Sequence, residues 1–370
     1  MSPFSLSEEQ QLLQDAARAF LTEEASTAVL RRLRDGGDAS GFDPSLWSKI
    51  VELGWTGVLI PEEHGGSPLG FKSMGLLLEA AGRTLAPLPL LSTALIAPTA
   101  LLRLGSSVQQ GRWLPRIVAG EALFALAIDE SAHHAPARTA LRAEPAAEGW
   151  RLSGRKAYVV DGQAAQLLLV VARRPEGDLG LFLAAAEAPG VTRKPLVTID
   201  GRGAADIHFA GTPAEALAEG GPEGLEAVLD AARAGLAAEM LGQAQQAFEV
   251  TAEYLRTRTQ FGQVIGAFQA LQHRAAKMLV DLELTRSVVL AALAALDAGR
   301  ADAPRLSSMA KARAGETLHL VSNEMVQLHG GIGMTDAHDA GLYLKRARVA
   351  EALYGSAAFH RDRYAALQGY

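Results

Sequence analysis

Arg256 and Arg258 stand two residues apart, followed by Gln260 and Phe261, with glycines at 262 and 266. Guanidiniums before such a turn can make two-pronged contacts with a phosphate, and an aromatic beside them can lie on a flat ring. Gly262 and Gly266 suit a turn that needs positive φ or close backbone approach. The plain alternative is a helix–loop–helix with solvated arginines. A second group, Gly330, Gly331 and Gly333, lies in the run QLHGGIGM at 327–334. It follows a helical pattern rather than a strand, so it is not a Rossmann phosphate turn; a helix closing on glycine is the alternative. Glu239 sits among Ala237, Ala238, Met240 and Leu241. A carboxyl buried there would have a raised pKa and could serve as a general base. The alternative is a rim carboxylate paired with Arg233 or with a neighbouring chain. His133, His134 and His338 lack helical HxxxH spacing, and no metal site is expected.

The elements that must position these residues change character along the chain. Ser7, with Gln10 three residues on, reads as a helix start, and Leu12, Leu13, Ala16, Ala17 and Phe20 recur at helical spacing. Further helices are predicted over 45–53, 73–81, 91–104 and 108–119, with a turn-rich loop at 62–68. From 123 the pattern shortens to strand-like runs at 123–128, 150–152, 156–160, 167–171, 181–184, 191–197 and 206–209. Helical periodicity then returns over 227–256, 268–298, 303–328 and 340–367, which predicts an antiparallel four-helix bundle. Two of these runs approach 30 residues, which favours an oligomer interface on one face. The expected organisation is α+β: an N-terminal α-helical domain at 1–122, a small β-barrel or sheet domain at 123–220 and the bundle at 221–370.

Composition narrows the function. The 370 residues are 49% hydrophobic and 21% charged, with net charge −6. That balance gives a large core and no nucleic-acid footprint. The sequence has 0 cysteines, which excludes disulfides, thiolate zinc sites and cysteine nucleophiles. The N-terminus lacks a basic start and an apolar stretch, and the apolar runs are too short for a bilayer, so no membrane association and a cytoplasmic location are expected.

The run R-T-Q-F-G at 258–262, the F-Q-A-L-Q that follows it and QLHGGIGM at family spacing resemble the acyl-CoA dehydrogenase family over nearly the whole chain. The resemblance implies FAD, an acyl-CoA substrate, and electron delivery to an electron-transfer flavoprotein. It implies that Arg258, Gln260, Phe261, Gln269, Gln327, Gly330 and Gly331 contact the adenosine half of an FAD held mainly by a neighbouring subunit. The flavin-side positions it implies are Ile128 and Tyr158. Arg233 is implied near substrate.

Two departures stand out. The family's usual base, the Glu of Tyr-Glu-Gly-Thr, falls on Tyr354 within Leu353-Tyr354-Gly355-Ser356. The alternative base position, before the family's Arg on the first bundle helix, is Ala232. Glu239, two turns on, is the remaining carboxylate, as in relatives that handle bulky steroid-type acyl chains. On the flavin side, Gly-Ser-Asp is missing after Ile128-Asp129-Glu130, and Val160 replaces a threonine. Asp129 would put negative charge beside a ring whose reduced form is anionic, which is unfavourable unless paired or protonated. Two readings follow. In one, the chain is an FAD-linked dehydrogenase of an acyl-CoA thioester using Glu239, in a homo-oligomer. In the other, it is a non-catalytic chain that completes the FAD site of a related chain in an α2β2 heterotetramer.

Overall fold

The computed structural model describes residues 5–38, 40–217 and 221–370. The expected domain limits at residues 1 and 220 lie outside them. The chain divides into two compact units that do not follow chain order. The first comprises Met1–Thr27, Gly75–Ala86 and Arg233–Tyr370; the second comprises Ala28–Met74 and Pro87–Ala232.

In the first unit, α1 (Glu8–Glu24) begins with the capping box read from the sequence: Gln10 N donates to Ser7 Oγ, and Ser7 N donates to Gln10 Oε1. The unit also holds most of α4 (Gly70–Thr84) and of α7 (Gly221–Thr257). The α4 and α7 backbones meet through glycines. A Cβ on Gly82 would lie 2.0 Å from Glu239 O, and one on Gly242 would lie 1.9 Å from Glu79 O. Only glycine permits that approach. Beside it, the buried Glu79 accepts from Arg18 at 2.9 Å and from Arg286 at 3.1 Å, which pairs a carboxylate that would be costly alone. α8 (Gln269–Asp297) and α9 (Ala303–His329) complete the long helices.

The fourth bundle helix is not one helix. It is α10 (Ala340–Ala352) and α11 (Ala357–Leu367), separated by a turn in which Tyr354 (φ 55°) and Gly355 (φ 110°) take positive φ. The expected single helix at 340–367 therefore stops at Ala352, fifteen residues short, because left-handed residues cannot continue it. A short hairpin of β8 (Thr259–Gln260) and β9 (Gln263–Val264) joins α7 to α8, with Phe261 (φ 54°) and Gly262 (φ 80°) at its tip.

The second unit carries α2 (Thr27–Gly36), α3 (Pro44–Glu52), α5 (Ala97–Leu104) and α6 (Ser107–Val118). Its sheet has β1 (Phe124–Ala127), β2 (Arg142–Pro145), β3 (Trp150–Val160), β4 (Leu167–Arg173), β5 (Leu179–Ala185), β6 (Val191–Leu196) and β7 (Ala204–Leu217). β4 pairs with β2, β2 with β3, β3 with β7, β7 with β5 and β5 again with β4, so the sheet closes into a barrel. β1 adds to β4 and β6 to β7. Alternate side chains, among them Leu152, Leu168, Val170, Phe182, Ile207 and Phe209, fill the interior. The short runs 150–152 and 156–160 are one strand with a register shift between Lys156 and Val159. Gly154 and Arg155 do not interrupt it, because a barrel strand bends at such an irregularity rather than ending.

Candidate functional site

The candidate site residues fall into three places. The first is one end of the first unit. Arg258, Gln260, Phe261 and Gln269 are exposed on the hairpin and the start of α8, and Gln327, Gly330 and Gly331 are exposed at the end of α9. Stacked rings hold the two stretches together. Tyr254, one turn before the hairpin, stacks on His329 at 4.3 Å between centroids, and His329 stacks on His338 at 4.3 Å. His329 Nδ1 donates to Met325 O at 2.7 Å, and burial and the neighbouring His338 keep its pKa below the ordinary value. A neutral ring results, which tolerates stacking. Apart from His329 preceding the glycine pair, nothing in the residue pattern marks this stack.

This end offers open donors and bare backbone. Phe261 is 89% exposed, packed only edge-on against Phe268 at 6.1 Å. An added Cβ on Gly262, Gly330 or Gly331 would meet nothing within 4 Å. The Arg258 guanidinium makes no ion pair among the described residues. An unengaged guanidinium, exposed amides, an aromatic face and accessible backbone are the groups that fit a diphosphate joined to a flat ring. The donor set therefore suits the adenosine end of a dinucleotide.

The second place is the barrel rim at the ends of β1 and β3, which carries Ile128 and Tyr158. Here the polar groups are engaged with one another. The buried Lys156 Nζ donates to Ile128 O at 2.8 Å and to Glu130 Oε1 at 2.9 Å. Glu130 also accepts from Ala140 N and Leu141 N at 2.8 and 2.9 Å. Burial opposes its ionisation, but Lys156 and these amides outweigh burial and hold the carboxyl below its usual range. Asp129 meets His134 Nδ1 at 3.0 Å, with the imidazole 2% exposed, and the Asp129 carbonyl accepts from Ala157 N. The pairing anticipated as the condition for a carboxylate here is thus present. Tyr158 takes φ 51°, and its N–H donates to Asp206 Oδ1 at 3.0 Å. Val160 is buried and presents no hydroxyl.

The third place is the interior of the bundle. Glu239 is 3% exposed, accepts from Gln243 Nε2 at 3.2 Å and lies 3.8 Å from Arg346 Nη1. Arg233 is fully buried, its guanidinium 5.8 Å from the Phe359 ring centroid. Neither is a rim residue: both side chains lie inside the bundle. Tyr354 is buried in the α10–α11 turn. Two buried groups not anticipated from the sequence lie beneath that turn. Lys311 Nζ donates to Glu351 O at 3.2 Å and Gly355 O at 3.0 Å, and His360 Nε2 donates to Tyr354 O at 3.0 Å. A lysine among small residues in SSMAKARAG was the available signal.

A closed barrel between helical segments, a five-helix C-terminal bundle and an exposed Arg/Phe/Gly end define a flavoprotein-dehydrogenase type of chain. Residues 7–121 match the family model for the acyl-CoA dehydrogenase N-terminal domain and residues 220–367 that for the acyl-CoA dehydrogenase C-terminal domain. Acyl-CoA dehydrogenase IpdE2 of Mycobacterium tuberculosis is 31% identical over 92% of this chain and 91% of its own. Among solved structures, the Tcur3481-Tcur3483 steroid ACAD is 35% identical with TM-score 0.92, covering 99% of each chain. The ChsE4-ChsE5 complex of M. tuberculosis is 28% identical with TM-score 0.91, covering 99% of this chain and 98% of that one. The chain belongs to the acyl-CoA dehydrogenase family. Among the described residues, no helix is long and apolar enough to cross a membrane.

Proposed function

We propose that this chain is the cofactor-completing subunit of a hetero-oligomeric acyl-CoA dehydrogenase that acts on a bulky, steroid-type acyl-CoA. The observation that carries this reading is the contrast between an open Arg258 end and a barrel rim whose polar groups are already paired. The steroid class and the two-chain assembly are supported by the solved relatives, which are described as a steroid ACAD and as a complex of two chains. The domain limits 1–122, 123–220 and 221–370 are part of the proposal, as is electron transfer to an electron-transfer flavoprotein.

FAD, when bound, supplies hydride acceptance at its flavin ring. In this reading Arg258 would neutralise the diphosphate, Phe261 would cover the adenine face, and Gly330 and Gly331 would let the backbone at the end of α9 approach the adenosine diphosphate part of the cofactor. Gln260, Gln269 and Gln327 donate or accept at the rim of that surface. Asp129 and His134, paired at the end of β1, exclude a second flavin from this chain's barrel. The partner chain supplies the carboxylate that removes the α proton of the thioester.

The test is the absorption spectrum of the chain purified alone and again after mixing with a homologous partner chain. A colourless protein that gains the flavin band only with the partner is expected. A flavin band in the isolated chain overturns the reading.

A second reading has one observation behind it: Glu239 is a buried carboxylate on the bundle helix where a base is sought. In that form Glu239 accepts the α proton, Arg346 steadies the carboxylate, and Ile128 and Tyr158 face the cofactor of a homo-oligomer.

A further inference from the structure

Lysine is almost never found fully inside a protein without a partner that justifies it. Lys311, on α9, is 1% exposed, and its amine reaches two backbone carbonyls rather than a carboxylate. The carboxylate of Glu351 is engaged elsewhere, by Arg348 Nη1 at 2.6 Å and His319 Nδ1 at 3.1 Å. Lys311 instead takes the Glu351 carbonyl, one of the last four of α10, which no helical N–H can satisfy. A cation at that end also meets the negative pole of the helix. Its second bond goes to Gly355 O, inside the turn, and His360 of α11 binds the adjacent Tyr354 O. Two neighbouring carbonyls of one left-handed turn are thus held from below by two buried side chains. Tyr354 at φ 55° needs such support, because a bulky residue does not rest in that region by itself. The charged and titratable groups around Lys311 are Arg233 of α7, Glu351 of α10 and His360 and Arg363 of α11.

We propose that Lys311 is a positioning residue: with His360 beside it, its amine holds the 353–356 turn in the left-handed form that decides where the side chain of residue 354 stands. The functional consequence rests on the reading that residue 354 borders the acyl-CoA site of the assembled enzyme. The geometry of the turn does not depend on that reading.

The experiment uses the assembled, flavin-loaded oligomer carrying Lys311→Met, which keeps stem length and removes the donors. Amide exchange is read by mass spectrometry across 349–360, together with kcat and KM for an acyl-CoA. Exchange at Leu353 and Gly355, whose N–H groups donate to Val349 O and Ala352 O, is expected to rise at least about tenfold while the middle of α9 stays protected. If residue 354 borders the site, kcat falls with KM within about twofold. A rise in exchange with unchanged kcat and KM keeps Lys311 as the support of the turn and removes residue 354 from the site. Unchanged exchange in the turn, or a uniform rise through α9, α10 and α11, overturns the proposal. Should Lys311→Met fail to assemble, His360→Phe frees the Tyr354 carbonyl of the same turn and is read by the same outcomes.

Discussion

The hairpin end of the first unit and the barrel rim of the second carry similar kinds of side chains in opposite states. At the hairpin, Arg258, Gln260 and Phe261 face solvent, and Gly330 and Gly331 expose bare backbone. At the rim, Lys156, Glu130, Asp129 and His134 are spent on one another and on the carbonyls of Ile128 and Asp129. A polar group can recognise a ligand only with hydrogen-bonding capacity that the fold has not consumed. The number of polar residues in a loop therefore says little about binding, and the state of their partners says much.

The most forceful challenge to this contrast is Glu239→Gln in the assembled enzyme. On the cofactor-completing reading, turnover stays near wild type. A fall of about 10²–10⁴ in kcat with flavin retained would mean that this chain carries its own base and that its rim holds a flavin.

Next is Lys156→Met, which leaves the part-exposed Glu130 with only its backbone donors. Loss of that charge-assisted hydrogen bond costs about 2 kcal/mol, read as a lowered midpoint of thermal unfolding. Flavin content in the assembled oligomer should not change. Lost flavin with an unaltered midpoint would show the rim binding cofactor.

Arg258→Ala tests the open side. Loss of a charge-assisted two-pronged contact is expected to weaken FAD retention by about 2 kcal/mol, or roughly 30-fold, with the unfolding midpoint of the apo chain unchanged because the guanidinium supports nothing in the fold. Flavin titration of the assembled oligomer measures it. Unchanged affinity breaks the assignment of this end.

The most gradual effect is a pH slope. Burial pushes the Lys311 amine down to about 7, Glu351 opposing and Arg233 assisting. The unfolded lysine keeps its proton to about 10.4. Between these values the unfolded chain binds more protons than the native one, so the contribution of Lys311 to stability rises with pH from about 7 upward. The penalty of its buried charge is fully present below that. The slope is at most about 1.4 kcal/mol per pH unit. Comparing unfolding free energies of wild type and Lys311→Met from pH 7 to 10 isolates it; identical slopes would place the lysine's titration elsewhere. His360, driven by burial and by Lys311 and Arg233 to about 2, adds a second limb of the same sign at lower pH: stability is lost as pH falls below about 6.5.

Much of the architecture was legible because it rests on local pattern. The Ser7 capping box, the strand runs and the long apolar periodicities of α7, α8 and α9 are short-range features that the folded chain preserves. The hairpin at 259–264 was legible as a turn, since Phe261 and Gly262 announce it, but its two short strands were not. The π-helical turn Leu91–Ile96 and the helix α2 escaped, the first because it differs from α only in hydrogen-bond register. The break between α10 and α11 was hidden because Leu353-Tyr354 fits a helical face, and only the bonds from Lys311 and His360 make the left-handed turn tenable.

The sequence by itself determined the family, through R-T-Q-F-G and QLHGGIGM, and the absence of a carboxylate at positions 232 and 354. Those are statements about residue identity along the chain. Only the tertiary structure decided which polar groups remain available. Pairing of Asp129 with His134, of Lys156 with Glu130, and of Lys311 with the 355 carbonyl joins residues 5, 26 and 44 positions apart. Hydrogen-bond capacity is used up by whatever the fold brings within reach, and sequence order does not record that distance.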